Sequence, residues 1–296
     1  MLTALLLTSS VHAIEWTSRH QVAASYFPIG LRYAYRGESR MPLWDQPDSV
    51  LFEKTWLAPG MYFEATPAYI RAGPQLDFTP IAIFDVTLEA VGFAYFGSFS
   101  GVTVFDSPDA YFGSRAVQSA KAEGCTSKVG EPALCFPDAV ITHEHGIDGK
   151  NGGYGLRLTA SPTLKAKAGP IIVAIPAEIH RFMVSRPDGE TGDWFYEPQL
   201  DALLGFKDTV LTSSPVLFYV VRDDTDDDPR FFYAGLRADY QQVLGSGDQS
   251  AKLGPMVVFD PGVKRAVPTF VAFTQAFLIS PIHPTFPPYI AVAAIW

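Results

Sequence analysis

Residues Pro287 to Trp296 read P-P-Y-I-A-V-A-A-I-W. The segment has the length of a strand and finishes on an aromatic side chain. Counting back from Trp296, every second position is apolar, so Ala294, Val292, Ile290 and Pro288 share its face in an extended chain. Further upstream, no Asp, Glu, Lys or Arg occurs between Ala266 and Trp296. This is the closest approach in the chain to a membrane helix, which needs about 20 consecutive apolar residues. Pro268, Pro281, Pro284, Pro287 and Pro288 argue against one, because each removes a backbone donor or clashes in a helix interior. The tail therefore reads as two strands and a turn.

The same period of two recurs upstream. Ile29, Leu31, Tyr33 and Tyr35 point one way while Gly30, Arg32, Ala34 and Arg36 point the other. Met61, Phe63 and Ala65 oppose Tyr62, Glu64 and Thr66, and Leu156, Leu158 and Ala160 oppose Arg157 and Thr159. Around Tyr196 the split is Tyr196, Pro198, Leu200, Ala202 and Leu204 against Glu197, Gln199 and Asp201. Phe232, Ala234, Leu236, Ala238 and Tyr240 oppose Tyr233, Gly235, Arg237 and Asp239. Alternation alone also fits an antiparallel sandwich, which buries one face of each sheet. The polar faces weigh against it: Arg32, Arg36, Glu64, Arg157, Glu197, Asp201, Arg237 and Asp239 fall inside strands, as in a wet barrel lumen with lipid outside. Their signs are nearly balanced, so ion pairs across the lumen are as compatible with the pattern as an open channel.

The closing segment resembles the last strand of bacterial outer-membrane β-barrels, in which a terminal Phe or Trp follows apolar residues at alternate positions. That resemblance implies a closed antiparallel transmembrane β-barrel in the outer membrane. It implies outer-membrane lipids and the barrel assembly machinery as partners, and gives Trp296 the role of an assembly signal. Counting alternating segments between turn signals predicts about 12 strands, with 10 or 14 also compatible, at roughly 10 residues per crossing. One long polar loop is expected over about residues 101–152. Gly60 to Pro67 is similar to Gly155 to Pro162, and each precedes an Ala-Gly-Pro, at Ala72 to Pro74 and Ala168 to Pro170. Leu253-Gly254-Pro255 echoes the second element. The repeat reads as a reused hairpin, with the first Pro near a turn and Gly-Pro bending the return strand.

Composition agrees with an envelope protein. Hydrophobic residues make up 48% and mean hydropathy is +0.11. Aromatics at 14% suit interfacial girdles. A formal charge of -9 without runs of Lys or Arg argues against a nucleic-acid partner, since neutralising phosphates needs clustered cations. Residues 1–13 have a short apolar core followed by Val11-His12-Ala13, as in a signal peptide, but without a preceding Lys or Arg. The alternative is a buried N-terminal segment. Residues 14–296 then form a single barrel domain. Cys125 and Cys135 are the only cysteines, and an even count in an exported chain reads as one disulfide.

Three clusters offer chemistry. His143, Glu144 and His145 carry metal-ligating groups, although i and i+2 share a face only in a strand. Asp223, Asp224, Asp226, Asp227 and Asp228 supply hard oxygens for Ca²⁺, without the glycine and glutamate of an EF-hand loop. In both, solvated loop residues are the plainer reading. His180 lies on an alternating strand with Glu178 on the same face, an arrangement that orients a general base. No Gly-x-Ser-x-Gly accompanies it, and no cofactor-binding motif is present, so no cofactor is expected. A Glu/His/Arg lumen network is the simpler account of the pair. The expected function is a non-enzymatic outer-membrane protein, a narrow pore or a structural barrel. The alternatives are an outer-membrane lipid-modifying hydrolase using His180 and a soluble periplasmic β protein that binds an apolar ligand.

Overall fold

The computed structural model describes residues 14–26, 30–44, 55–96, 102, 104–105, 152–190, 192–197, 199–200, 202–223, 230–262, 267–280 and 289–296. These residues form strands and turns and no helix. The strands are β1 (Glu15–Tyr26), β2 (Gly30–Pro42), β3 (Trp56–Ala65), β4 (Tyr69–Ile81), β5 (Phe84–Tyr95), β6 (Val104–Phe105), β7 (Gly153–Ala168) and β8 (Ile171–Val184). They continue with β9 (Trp194–Glu197), β10 (Ala202–Gly205), β11 (Thr209–Ser213), β12 (Val216–Arg222), β13 (Phe231–Val243), β14 (Gln249–Asp260), β15 (Thr269–Ile279) and β16 (Tyr289–Ile295).

Each neighbour in the main sheet is antiparallel, and the sheet closes on itself because β1 pairs with both β2 and β16 while β13 also pairs with β14. β11 and β12 fill one position in the wall. β8 and β13 flank both, and the break between them falls at Ser214-Pro215. Pro215 has no N–H to give the ladder, and its carbonyl accepts from Ala238 N at 3.0 Å. Across the break, Ser214 N donates to Pro176 O at 3.1 Å. The result is a closed barrel of twelve strands. Closure removes the open edges that a sheet otherwise presents.

The alternation read from the sequence fixes which side chains face out. Leu31 is 55% exposed, Met61 53% and Leu236 50%, whereas Glu64 is 0% and Arg157 5%. Apolar residues such as Leu88, Leu158, Ile175, Leu217, Val257 and Val292 are exposed on strands all around the wall. Exposed aromatics lie toward its two ends: Trp16, Tyr219, Phe270 and Trp296 at one, Tyr154 and Phe96 at the other. Trp296 closes the ring, exchanging backbone hydrogen bonds with His20 at 2.9 and 3.0 Å. Where neighbouring backbones approach most closely, glycine is required: a Cβ on Gly254 would run into the carbonyl oxygen of Thr274.

Three expectations need correction. Tyr196 to Leu204 is no wall strand. β9 and β10 form a hairpin paired with β6 in a separate three-stranded sheet. Apolar alternation runs straight through its turn because Phe195, Leu203 and Leu204 are all buried, whereas a membrane strand buries one side only. The repeat also fails in its second copy. Pro67 lies between β3 and β4 as expected, but Pro162 is inside β7 and Gly169-Pro170 makes the next turn, with Gly169 at φ 55°. The long connection after β5 is also not wholly polar, since Val102 and Phe105 are buried.

Both long connections, 96–152 and 185–208, leave from the end of the barrel opposite Glu15 and Trp296. From there the three-stranded sheet reaches into the lumen. Its Val102, Phe195, Ala202 and Leu204 pack on Tyr69, Phe93, Tyr95, Phe182, Val184, Val210 and Val243. These come from β4, β5, β8, β11 and β13, so the inserted hairpin leans on one arc of the wall and builds an apolar core there.

Candidate functional site

At the tip of the inserted hairpin Glu197 is wholly buried. It accepts a hydrogen bond from Arg71 Nη2 at 2.8 Å, and the Tyr95 hydroxyl donates to its other oxygen. Arg71 is itself 0% exposed, stacks on the Tyr69 ring at 4.2 Å and lies 3.8 Å from Glu64. Glu64 in turn accepts from the hydroxyls of Tyr62 and of Tyr69, the latter at 2.6 Å. Charges this deep persist only when paired and hydrogen-bonded. The hairpin is thus pinned to the wall ionically as well as by apolar packing. At its base Asp208 accepts from the backbone N–H groups of Gly205, Thr209 and Gly245 at 3.0, 2.7 and 3.0 Å.

Beside the hairpin tip the lumen holds a cavity of about 300 Å³. Its lining comes from strands on every side, together with Gln199 and Leu200 of the hairpin turn. A second cavity of about 170 Å³ adjoins it, sharing Arg32, Arg36 and Tyr62 and adding Arg19. Arg36 reaches Glu89 at 2.8 Å, and Arg157 approaches the other oxygen of that carboxylate at 3.6 Å. Arg157 also donates to Gln199 at 3.1 Å, bridging wall and hairpin. Arg237 pairs with Asp239 at 2.9 Å and lies over the Phe273 ring.

His180 faces this cavity, not the outer surface, because its strand alternates with outward Ile179 and Arg181. Its Nε2 is 2.9 Å from Glu178 and its Nδ1 is 3.1 Å from the Thr159 hydroxyl. Thr159 and His180 are cross-strand partners in β7 and β8, and Thr212 donates to Glu178 at 3.3 Å. The four side chains form a polar ladder along the inner wall. Arg32, Arg36, Arg157, Arg237 and Asp239 all line the same cavity, while Glu64 and Glu197 belong to the Arg71 network. Asp223 is at the opposite end, held by Lys167 and by the Tyr233 hydroxyl at 3.3 Å. Asp201, Asp224, Asp226, Asp227, Asp228, His143, Glu144, His145, Cys125, Cys135 and residues 1–13 lie outside the described residues. Among the described residues no group of three or more His, Cys, Asp or Glu is placed to hold a metal.

Arg71, Glu89, Arg19 and Lys252 were not singled out from the sequence. Arg71 sits between Ile70 and Ala72, and Glu89 between Leu88 and Ala90. The alternation argument, carried through residues 69–95, places both inward.

A closed barrel with an apolar exterior, aromatic ends and a charged interior defines a class, the outer-membrane β-barrels. No protein-family model matches the chain, and no curated protein matches it by sequence. Among solved structures it is similar to the beta domain of the Bordetella autotransporter Brka, at 8% identity and a TM-score of 0.47 over 96% of this chain and 99% of that one. It is also similar to the NanC porin, at 5% identity and a TM-score of 0.38 over 94% and 98%. A third is OmpT, an outer membrane protein of Vibrio cholerae, at 8% identity and a TM-score of 0.34 over 96% and 99%.

Proposed function

We propose that this chain is a non-enzymatic outer-membrane protein that acts as a narrow pore. The observation that carries the reading is the pair of adjoining polar cavities inside the wall, with the inserted hairpin packed on only one arc of it. A purely structural barrel would fill its lumen with side chains instead. The continuous apolar exterior supports the membrane setting, because soluble monomers rarely expose contiguous apolar patches beyond a few hundred Å². The long connections and the hairpin would then face the cell exterior, and the shorter turns the periplasm. Outer-membrane lipids and the barrel assembly machinery are the partners this reading requires, with Trp296 on the lipid side as the assembly signal.

Conductance in planar bilayers tests the proposal. Small discrete steps from the purified, refolded protein are expected, and a silent membrane would favour the structural barrel. Hydrolysis of phospholipid or lipopolysaccharide by the same preparation would move the assignment to the hydrolase, with His180 and Thr159 as the groups to substitute. Recovery of the native protein from cells without detergent would return it to the soluble alternative.

A further inference from the structure

We propose that the lumen cavity is a binding site for a small hydroxylated organic anion, one carrying a carboxylate or a phosphate ester. The inference rests on the pore reading in one respect, that the solute reaches the cavity through the lumen. The chain as a whole carries a formal charge of -9, yet five cations line the cavity against three carboxylates among the described residues. Cations gathered inside low-dielectric walls focus a field that the net charge of the chain does not foretell.

All three carboxylates are engaged by groups of the protein. Glu89 lies between Arg36 and Arg157, Asp239 is held by Arg237, and Glu178 by His180 and Thr212. Arg32 has only a distant share of Glu64, at 3.8 Å, and Arg71 draws on the same carboxylate. Lys252 rests on the ring of Tyr289 at 4.6 Å. Arg157 supplies a second, independent observation. It is 5% exposed, and its Nε has no hydrogen-bond partner among the described residues. A buried guanidinium N–H without an acceptor, on a side chain that lines a polar cavity, is a donor awaiting one.

The remaining lining defines the body of the solute. Gln199, Gln241, Thr212, Ser214 and Ser250 present amides and hydroxyls, while Phe273 and Tyr289 offer ring faces. Hydroxyls on a compact ring satisfy the first group and its apolar face the second. The cavity volume of about 300 Å³ corresponds to roughly ten waters at their liquid share, the scale of a single sugar ring.

Isothermal titration of the folded barrel in detergent micelles at low ionic strength decides the matter, with glucuronate, glucose 6-phosphate and glucose as probes. Saturable binding of at least one anion, at one per chain and at least tenfold tighter than glucose, is expected, and the stronger of the two names the carboxylate or the phosphate. The double variant Arg32→Gln with Lys252→Gln should weaken anion binding tenfold or more while keeping the electrophoretic mobility of the folded barrel. Arg181→Gln, on the outer surface, should leave it unchanged. Equal binding of glucose and both anions, or undiminished anion binding by the double variant, overturns the proposal. Anion binding without bilayer conductance would support this site and overturn the pore. Conductance without anion binding would do the reverse.

Discussion

Two arcs of the same inner wall carry opposite chemistry. On one, inward positions of β5, β8, β11 and β13 hold Phe93, Phe182, Val210 and Val243, and the inserted hairpin covers them. On the other, the inward positions are taken by Arg32, Arg36, Arg237, Lys252 and Tyr289, and a cavity remains. β5, β8, β11 and β13 contribute to both: within a few residues Glu89 gives way to Phe93, His180 to Phe182, Thr212 to Val210 and Arg237 to Val243. The face a side chain occupies is therefore not enough to say what it meets. An inward apolar residue in a wet barrel announces something folded onto it, and an inward cation announces water or solute.

That contrast can be broken most sharply at Glu197. Its loss strands the fully buried Arg71, and breaking a buried ion pair from one side costs about 3–5 kcal/mol. Glu197→Ala should release the hairpin, read as new protease cleavage between residues 185 and 208 in a barrel that otherwise stays folded. Intact resistance would show that the apolar arc alone retains it. Leu204→Ala attacks that apolar arc. It is 0% exposed, and emptying such a site costs about 2–5 kcal/mol, measured as a lower midpoint of the same cleavage in urea.

The outer face provides the third test. Leu236→Arg, with the charge facing lipid, should cost about 2–4 kcal/mol if it lies near the bilayer midplane, read from refolding into vesicles across a urea series. Its inward neighbour Arg237 borders the cavity, so Arg237→Leu should refold with a much smaller loss. Equal tolerance of the two would undo the assignment of faces. The smallest effect is expected on the wet arc. Arg36 pairs with Glu89 while 39% exposed, and half-solvated pairs are worth about 0–1 kcal/mol. Arg36→Gln should barely move the unfolding midpoint.

The wall was legible because a barrel in lipid imposes one rule on every strand. Leu31 against Arg32, Met61 against Tyr62, and Leu236 against Arg237 all follow from it, and so does the count of about twelve. The hairpin was not legible, because its apolar residues obey packing inside the lumen and not the lipid rule. Phe195 to Leu204 therefore mimicked a thirteenth crossing. The site was half readable: Arg32, Arg36, Arg157 and Arg237 were found by alternation, whereas their gathering around one cavity depends on the register of distant strands. Arg71 and Glu197 are 126 residues apart, and no local pattern pairs them.

The hydrogen bonds joining His20 to Trp296 have a consequence for the order of events when the barrel forms. β1 is paired on one side by β2 soon after both exist, but its other side waits for β16, the most remote partner available. Until that last strand arrives the sheet is an open ribbon with two unsatisfied margins, the condition under which strands seek partners in other molecules. Bringing such distant segments together is also entropically slow. Ring closure should therefore be the step that commits the molecule. A chain stopped before Tyr289 would retain eleven well-formed strands and still behave as an aggregating ribbon, because its stability depends on the seam as much as on the strands.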